Sequence, residues 1–477
     1  MAGKNLDTGR LYAALASVDC GNVAGNRPNP DGRGERVMSS TFVLSAMFIS
    51  LLVLLLSGMP LAFVLISLAV LFTVTLWGTD ALVLSVLQTF DVMTSDVLLA
   101  IPLYVLMASI LQRSGIIEAL YKAMELWFRR LPGGLAVGTI AICTVMAAMT
   151  GIVGAAVAAM GILALPSMLR RGYDEKLALG TICAGGTLGI LIPPSIITIV
   201  YAATAQVSVG KMFAAGIIPG MVLAGLYIAY VVIRTLLKPS VAPRPEQVEV
   251  SVRDMFASLK SLILPTLIVF SVLGSIYAGI ATPTEAAAVG VVGAMVSAAL
   301  QRTFTPANLS AAAMDTLRVT TMIMWITIGA KIFVSIFTGT GGADSLLTFI
   351  QDLELNRWLV LLAMMGILVL LGLFLDEIGI ILLCVPVFLP IINAFDFDPI
   401  WFGVLFLITA QMAYITPPFG YTLFYIKGVL PDGIGMETVY RAIVPFLLLQ
   451  MIALVLFMVF PDLVTWLPNQ LSQRLAS

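Results

Sequence analysis

Long apolar runs return again and again along this chain, as at 60–78, 213–237, 284–301 and 440–465. Backbone in lipid has to satisfy its own hydrogen bonds, so only helices and closed barrels cross a membrane. A helix of about 20 apolar residues is long enough to do so. A barrel strand would alternate apolar and polar residues over short segments, whereas these runs are continuous. Composition agrees: 60% of the 477 residues are apolar and 11% are charged, against about 45–50% and about 25% in soluble chains. The fold class is therefore an all-α polytopic membrane protein, and a soluble enzyme is excluded.

What the chain lacks narrows its chemistry. It has no histidine, which removes His-based metal sites, Ser-His-Asp hydrolysis and imidazole proton relays. With a net charge of −1, no basic face can form, so nucleic acid is not expected as a partner. Cys143, Cys183 and Cys384 lie in apolar segments, and with Cys20 they do not suggest a disulfide framework. ATP-driven transport lacks its motif. The nearest match, Val209-Gly210-Lys211, has Met212 in place of Ser or Thr and Ala205 in place of the first glycine.

Residues 1–37 are polar, contain Asn26-Arg27-Pro28-Asn29-Pro30 and have no signal-peptide apolar core. They read as a disordered tail, and Met38, just before the first run, reads as the natural start. Spans are expected near 40–58, 60–78 and 87–112, then an amphipathic stretch at 114–130 and an apolar pair at 133–149 and 152–169. A segment at 176–205 is interrupted by Ile192-Pro193-Pro194-Ser195, and a span at 213–237 follows. A polar, proline-containing linker covers 239–259. The same order then returns: spans near 261–280, 284–301 and 318–338, and an amphipathic stretch at 341–355. An apolar pair at 357–374 and 378–394 precedes a segment at 400–426, interrupted by Ile415-Thr416-Pro417-Pro418-Phe419, and a last span at 440–465.

The repeat is numerical as well. Pro166 precedes Pro193 by 27 positions, and Pro390 precedes Pro417 by the same 27. The offset of 224 also pairs Asp174 with Asp398, Thr198 with Thr422 and Tyr201 with Tyr425. Residues 38–238 form one repeat and 260–465 the other, with 466–477 as a C-terminal tail. Lys and Arg gather in cytoplasmic loops. Arg113, Lys122, Arg129 and Arg130 precede the first apolar pair, and Arg170, Arg171 and Lys176 follow it. Both its ends are thus cytoplasmic, which fits a re-entrant hairpin or two full spans. A polar, glycine-containing tip at membrane depth favours the hairpin. Acids around the second pair (Asp352, Glu354, Asp396, Asp398) place its ends outside. The expectation is about ten transmembrane helices plus two re-entrant hairpins in two inverted-topology repeats, an architecture that puts transport sites at the repeat interface.

Several residues are placed to do chemistry. Each Pro-Pro pair removes donors and frees carbonyls in mid-membrane, where carbonyls and half-helix ends suit bare cations or carboxylates. At the first tip, Thr150 offers a hydroxyl, and Gly151 and Gly154 permit close approach or simple helix packing. Asp376 and Glu377 stand at the second tip, either as functional intramembrane acids or as acids facing water. Lys331 is positioned to counter a substrate carboxylate, pair with an internal acid, or snorkel. Glu285, after Thr282-Pro283-Thr284, reads as a helix-capping acid.

Arg129-Arg130-Leu131-Pro132-Gly133-Gly134-Leu135, Leu169-Arg170-Arg171-Gly172-Tyr173-Asp174, the run Gly185-Gly186-Thr187-Leu188-Gly189-Ile190-Leu191-Ile192-Pro193-Pro194-Ser195, and Ile415-Thr416-Pro417-Pro418-Phe419-Gly420 occur in one order. Over about residues 38–465 they resemble the large membrane subunit of tripartite ATP-independent periplasmic (TRAP) transporters. The resemblance implies an elevator-type secondary transporter in the bacterial inner membrane. It would import organic acids, mostly carboxylates, delivered by a periplasmic binding protein and driven by sodium ions, with a small four-helix membrane subunit as partner and no other cofactor. It also implies one sodium site at Thr150, Gly189, Leu191 and Pro194, and a second at the 374–378 tip with Ala413, Ile415, Thr416 and Pro418. The substrate path would include Asp376, Ile152 and Ser195. The family's first tip has a Ser-Gly-Ser-Ser character; here Thr150-Gly151-Ile152-Val153 keeps only the first hydroxyl, which admits a substrate with an apolar part.

Two other classes remain. An ion channel needs a continuous polar pore, which opposed hairpins do not suggest. An intramembrane enzyme needs a catalytic constellation, and no paired acids, nucleophile elbow or histidine are read in the spans.

Overall fold

The computed structural model describes residues 40–128, 130–243, 260–418 and 420–476. The proposed tail 1–37, the start at Met38, most of the 239–259 linker and Phe419 lie outside these residues. Among the described residues the chain is helical, with no strand.

The first repeat contains α1 (Ser40–Leu56), α2 (Leu61–Trp77), α3 (Leu82–Met93), α4 (Asp96–Arg113), α5 (Ile116–Phe128), α6 (Gly134–Thr150), α7 (Val153–Arg170), α8 (Glu175–Thr187), α9 (Ile196–Ala205) and α10 (Val209–Leu237). The second contains α11 (Lys260–Tyr277), α12 (Pro283–Leu300), α13 (Pro306–Gly339), α14 (Gly342–Asp352), α15 (Arg357–Leu371), α16 (Glu377–Ala394), α17 (Pro399–Ile415), α18 (Tyr421–Lys427) and α19 (Met436–Val459). A final α20 (Asp462–Ala476) packs on α10, so the segment expected to be a tail is helical to Ala476. Among the described residues, seven helices of at least 18 residues are apolar enough to cross a membrane, α4, α7, α10, α12, α13, α16 and α19.

Element boundaries obey the repeat. α7 and α16 start 224 residues apart and end 224 apart, as do the starts of α8 and α17. Local chemistry sets these starts in the same way in both halves. Asp174 accepts the Leu177 N–H at 3.1 Å to cap α8, and Asp398 accepts the Ile400 and Trp401 N–H groups at 2.6 and 3.1 Å to cap α17. Such caps satisfy donors that a helix start leaves open. One expected span is divided: 87–112 falls on α3 and α4, separated at Thr94 and Ser95. The Ser95 hydroxyl accepts the Leu98 N–H at 3.5 Å, so the polar pair ends one helix and starts the next. The equivalent stretch of the second repeat is the unbroken 34-residue α13.

Two bodies result. α1–α4 and α11–α13 pack on each other, led by the α4–α12, α2–α13 and α4–α13 contacts. The hairpins, broken helices, α10 and α19 form the second body. Within it the repeats interlock: α9 packs on α16, and its counterpart α18 packs on α7. Its centre is aromatic and fully buried, with Tyr227 against Phe446 at 5.4 Å between ring centres and Tyr201 against Phe406 at 5.7 Å. Among these side chains the Gln411 amide donates to the Thr187 hydroxyl at 2.9 Å, a bond between residues 224 positions apart. It therefore joins equivalent positions of the two repeats. The outer surface carries exposed Phe42, Val53, Phe270, Val292 and Leu300, as a bilayer-facing surface requires.

Candidate functional site

Both hairpin tips reach one cavity of about 890 Å³ between the two bodies. Gly151, Ile152, Val153 and Gly154 line it from the first tip, and Asp376, Glu377 and Ile378 from the second. Tyr414, Tyr421 and Tyr425 join them from the second broken helix, with Tyr414 and Tyr421 stacked at 5.3 Å. The opposite wall is α13, apolar except for Thr321 and the one basic lining residue, Arg318.

The first tip is built by glycine. Gly151 ends α6 with φ +57°, a conformation that a residue with a Cβ adopts only at a cost. A Cβ there would also stand 2.8 Å from the Pro194 carbonyl oxygen. The absent side chain lets the tip touch the first broken helix at Pro194 and Ser195, while Gly189 packs against the Gly151–Ile152 backbone. Of the first sodium set that the resemblance implies, Thr150, Gly189 and Pro194 are thus brought to the tip region. Leu191 differs: its carbonyl oxygen is turned to Gly216 of α10, where a Cβ would overlap it. Thr150 is buried and its hydroxyl donates to the Met146 carbonyl at 2.9 Å. With its hydrogen so used, the oxygen keeps lone pairs for a cation. The donor set here is neutral oxygen, which suits a hard monovalent ion.

After Gly151, Ile152 is the N-cap of α7 and supplies no side-chain hydrogen bond. No side chain caps the N–H groups of this helix start, which form the positive end of the helix, and Ile152, Val153 and Gly154 line the cavity. Gly154 has its own reason to be small, because a Cβ would overlap the Tyr425 ring. Ser195 is not a cavity residue. It is fully buried, donates to the Ile190 carbonyl at 2.8 Å and accepts the Thr198 N–H at 3.4 Å as the cap of α9.

The second tip, Gly372 to Asp376, is longer. Asp376 occupies the N-cap of α16 and accepts the Gly379 N–H at 3.2 Å. Glu377 is 3% exposed, its N–H donates to the Tyr414 hydroxyl at 3.3 Å, and its Oε2 has no hydrogen-bond partner. In the second broken helix, the Ala413 carbonyl accepts the Thr416 N–H at 3.1 Å and the Thr416 hydroxyl donates to the Met412 carbonyl at 2.7 Å. The Tyr414 and Thr416 carbonyls converge on Gly420. Ala413 packs against Gly372 at the foot of the tip, and Ile415 is buried.

Lys331 is elsewhere. It pairs with Asp91 of α3 and lines a separate cavity of about 300 Å³ with Gln88, Thr204 and Gln206. Glu285 caps α12 through a reciprocal box with Thr282. The sequence reading gave Glu377 less weight than Asp376 and missed Arg318 and the three tyrosines. Tyr425 had a signal, since it repeats Tyr201 at the 224 offset.

The chain is similar to known proteins along nearly all its length. The profile of "Tripartite ATP-independent periplasmic transporter, DctM component" matches residues 48–463. The "C4-dicarboxylate TRAP transporter large permease protein DctM" of Pseudomonas aeruginosa is 33% identical over 84% of this chain and 92% of its own. The protein of the same name from Vibrio cholerae is 32% identical over 90% and 98%. The "Isethionate TRAP transporter permease protein DctMQ" of Oleidesulfovibrio alaskensis is 28% identical over 84% of this chain and 62% of its own. Among solved structures, the Alcanivorax borkumensis YdaH transporter superposes with a TM-score of 0.60 at 16% identity, covering 86% of this chain and 99% of that one. Neisseria gonorrhoeae MtrF gives 0.57 at 15% identity, over 81% and 85%. These two share the fold of membrane transporters. The chain, a multi-pass membrane protein and not an enzyme, belongs to the DctM-component family of TRAP transporters, as a large permease subunit.

Proposed function

We propose that this permease imports organic acids across the bacterial inner membrane by moving the hairpin-bearing body, elevator-fashion, against the body formed by α1–α4 and α11–α13. The observation that carries this reading is the convergence of both hairpin tips on one cavity at the interface of the two bodies. Pro60–Phe63 and Arg318, which line it, lie on the side that the distribution of basic residues assigns to the cytoplasm. The cavity therefore faces inward. A substrate anion finds a helix N-terminus at Val153 and a guanidinium at Arg318; its body meets Ile152, Ile196, Ile197 and the tyrosines.

Sodium is the coupling ion in this reading. Thr150, Gly189 and Pro194 would hold it at the first tip, with Ala413, Ile415, Thr416 and Pro418 at the second. Neutral oxygen donors beside each hairpin support that assignment. A periplasmic binding protein delivers the substrate and a small membrane subunit completes the complex. The relatives named as TRAP permeases, one of them a DctMQ protein longer than this chain, support both partners. The test is uptake into proteoliposomes holding the permease and its small subunit. Accumulation should require both an inward sodium gradient and the soluble binding protein, and ATP should not replace the gradient. Accumulation driven by ATP alone, or unitary currents in place of saturable uptake, would refute the reading.

A further inference from the structure

We infer that the smaller cavity is a second anion site, at the outer end of the interface between the two bodies, where Lys331 receives a carboxylate arriving from outside in exchange for Asp91. This rests on the reading that the interface is the route of an organic acid. The same three helices build both cavities, the smaller one farther along each. On α13 the large cavity ends at Ile326 and the smaller begins at Thr327. On α16 the boundary falls between Ile378 and Leu382, and on α9 between Ile197 and Ala203. Ile326 and Ile378, at that boundary, are buried. α13 runs outward from Arg318, and α16 runs outward from its tip, so the smaller cavity lies on the exterior side. Gln88 of α3 and Ser95, the cap of α4, complete its wall.

A volume of about 300 Å³ admits a small organic acid. Lys331 is the one charged residue among those that line it. An ammonium has three N–H donors, and Asp91 accepts from it. Asp91 is not a lining residue, and its side chain is 63% exposed. An ion pair so open to water contributes little, so Asp91 can turn to solvent when another carboxylate takes its place. The net charge around the ammonium is then unchanged, one carboxylate having replaced another.

The remaining polar groups divide by what they can offer. Thr204, Thr327, Ser335 and Thr338 donate their hydroxyl hydrogens to carbonyls of their own helices. Donors for the anion therefore come from Lys331 and from the amides of Gln88 and Gln206. Gln206 reaches the cavity from the left-handed end of α9, at φ +55°, where glycine or asparagine is usual. Arg318 and Lys331 stand about 20 Å apart along the axis of α13, and each provides its own cavity with a cation.

The test is labelling of Ser335→Cys, in the cavity wall, by a membrane-impermeant thiol reagent. It uses right-side-out membrane vesicles holding the full-length permease and its small subunit, with Cys20→Ser as background; Cys143, Cys183 and Cys384 are buried. Succinate is the probe, and sodium chloride of equal ionic strength is the control. The cysteine should label from outside, and succinate should slow the labelling. In K331M the half-protecting concentration should rise about tenfold or more, as loss of a charged hydrogen bond implies, while K331R stays near the parent. D91N should act in the opposite direction and lower that concentration by up to about fivefold, the most that an exposed ion pair is worth. A pair that only fastens α3 to α13 would leave protection alike in all three. No labelling from outside, no protection at saturating succinate, or equal protection in K331M overturns the site. Should K331M fail to fold, D91N decides, and unchanged or weaker protection overturns the exchange. Labelling is read without transport, so its failure strikes this site alone, whereas uptake driven by ATP strikes the transport reading.

Discussion

At equivalent positions of the two repeats, Ile152 and Asp376 each serve as the N-cap of the second hairpin helix, and Val153 and Glu377 each follow as its first residue. One pair is apolar and the other acidic. The first tip leaves its helix N-terminus without a side-chain cap; the second caps its own with the Asp376 carboxyl group. A symmetric backbone thus presents two unlike ends to one cavity, one with no side-chain cap and one capped by an acid. The lesson is that a duplicated fold supplies matched positions, and the side chains placed there then make the two ends chemically unlike.

The largest expected effect breaks the first tip and spares the second. Gly151→Val places a β-branched residue at φ +57° and a Cβ against the Pro194 carbonyl. Uptake should fall by roughly a hundredfold or more, in line with a loss of about 3 kcal/mol at the site. Leu375→Val, the equivalent change in the second tip, removes one buried methylene and should cost about 1 kcal/mol of stability with uptake largely retained. Comparable losses from both variants, measured at matched expression, would erase the distinction between the tips.

Thr150 sharpens the comparison, because its equivalent, Phe374, has no hydroxyl. Thr150→Val keeps the shape and removes one oxygen. The cost should be about 1–3 kcal/mol of sodium binding, or about tenfold to a hundredfold in apparent affinity. Thr150→Ser should be much milder. Uptake measured against sodium concentration decides the matter, and an unchanged curve for Thr150→Val would make this tip a packing device only.

Smaller effects come from exchanging the caps. Asp376→Ala should destabilise by about 1 kcal/mol, and Asp376→Asn by much less, since Asn caps nearly as well. Ile152→Asp should act in the opposite direction, adding a cap to α7 and raising the melting temperature slightly while weakening uptake of an anionic substrate. If Ile152→Asp left substrate affinity unchanged, the open helix end would have no part in binding.

Much of this was legible in residues alone. Apolar runs, Pro-Pro breaks and the 224 offset determined the helices, the hairpins and the duplication, because lipid allows a backbone few alternatives. Capping was legible too: Glu285 after Thr282-Pro283 forms the predicted local bond, since a cap depends only on neighbours in the chain. Side-chain roles that depend on distant neighbours were not. Lys331 had three possible roles on paper, and only packing brought Asp91 to it and kept both away from the main cavity. Asp376 and Glu377 stand side by side in the sequence. Tertiary structure alone decided that one caps a helix while the other is buried with an unpartnered oxygen. Solvation and available donors set the state of a carboxyl, and both come from residues remote in sequence, such as Tyr414, and from the cavity itself.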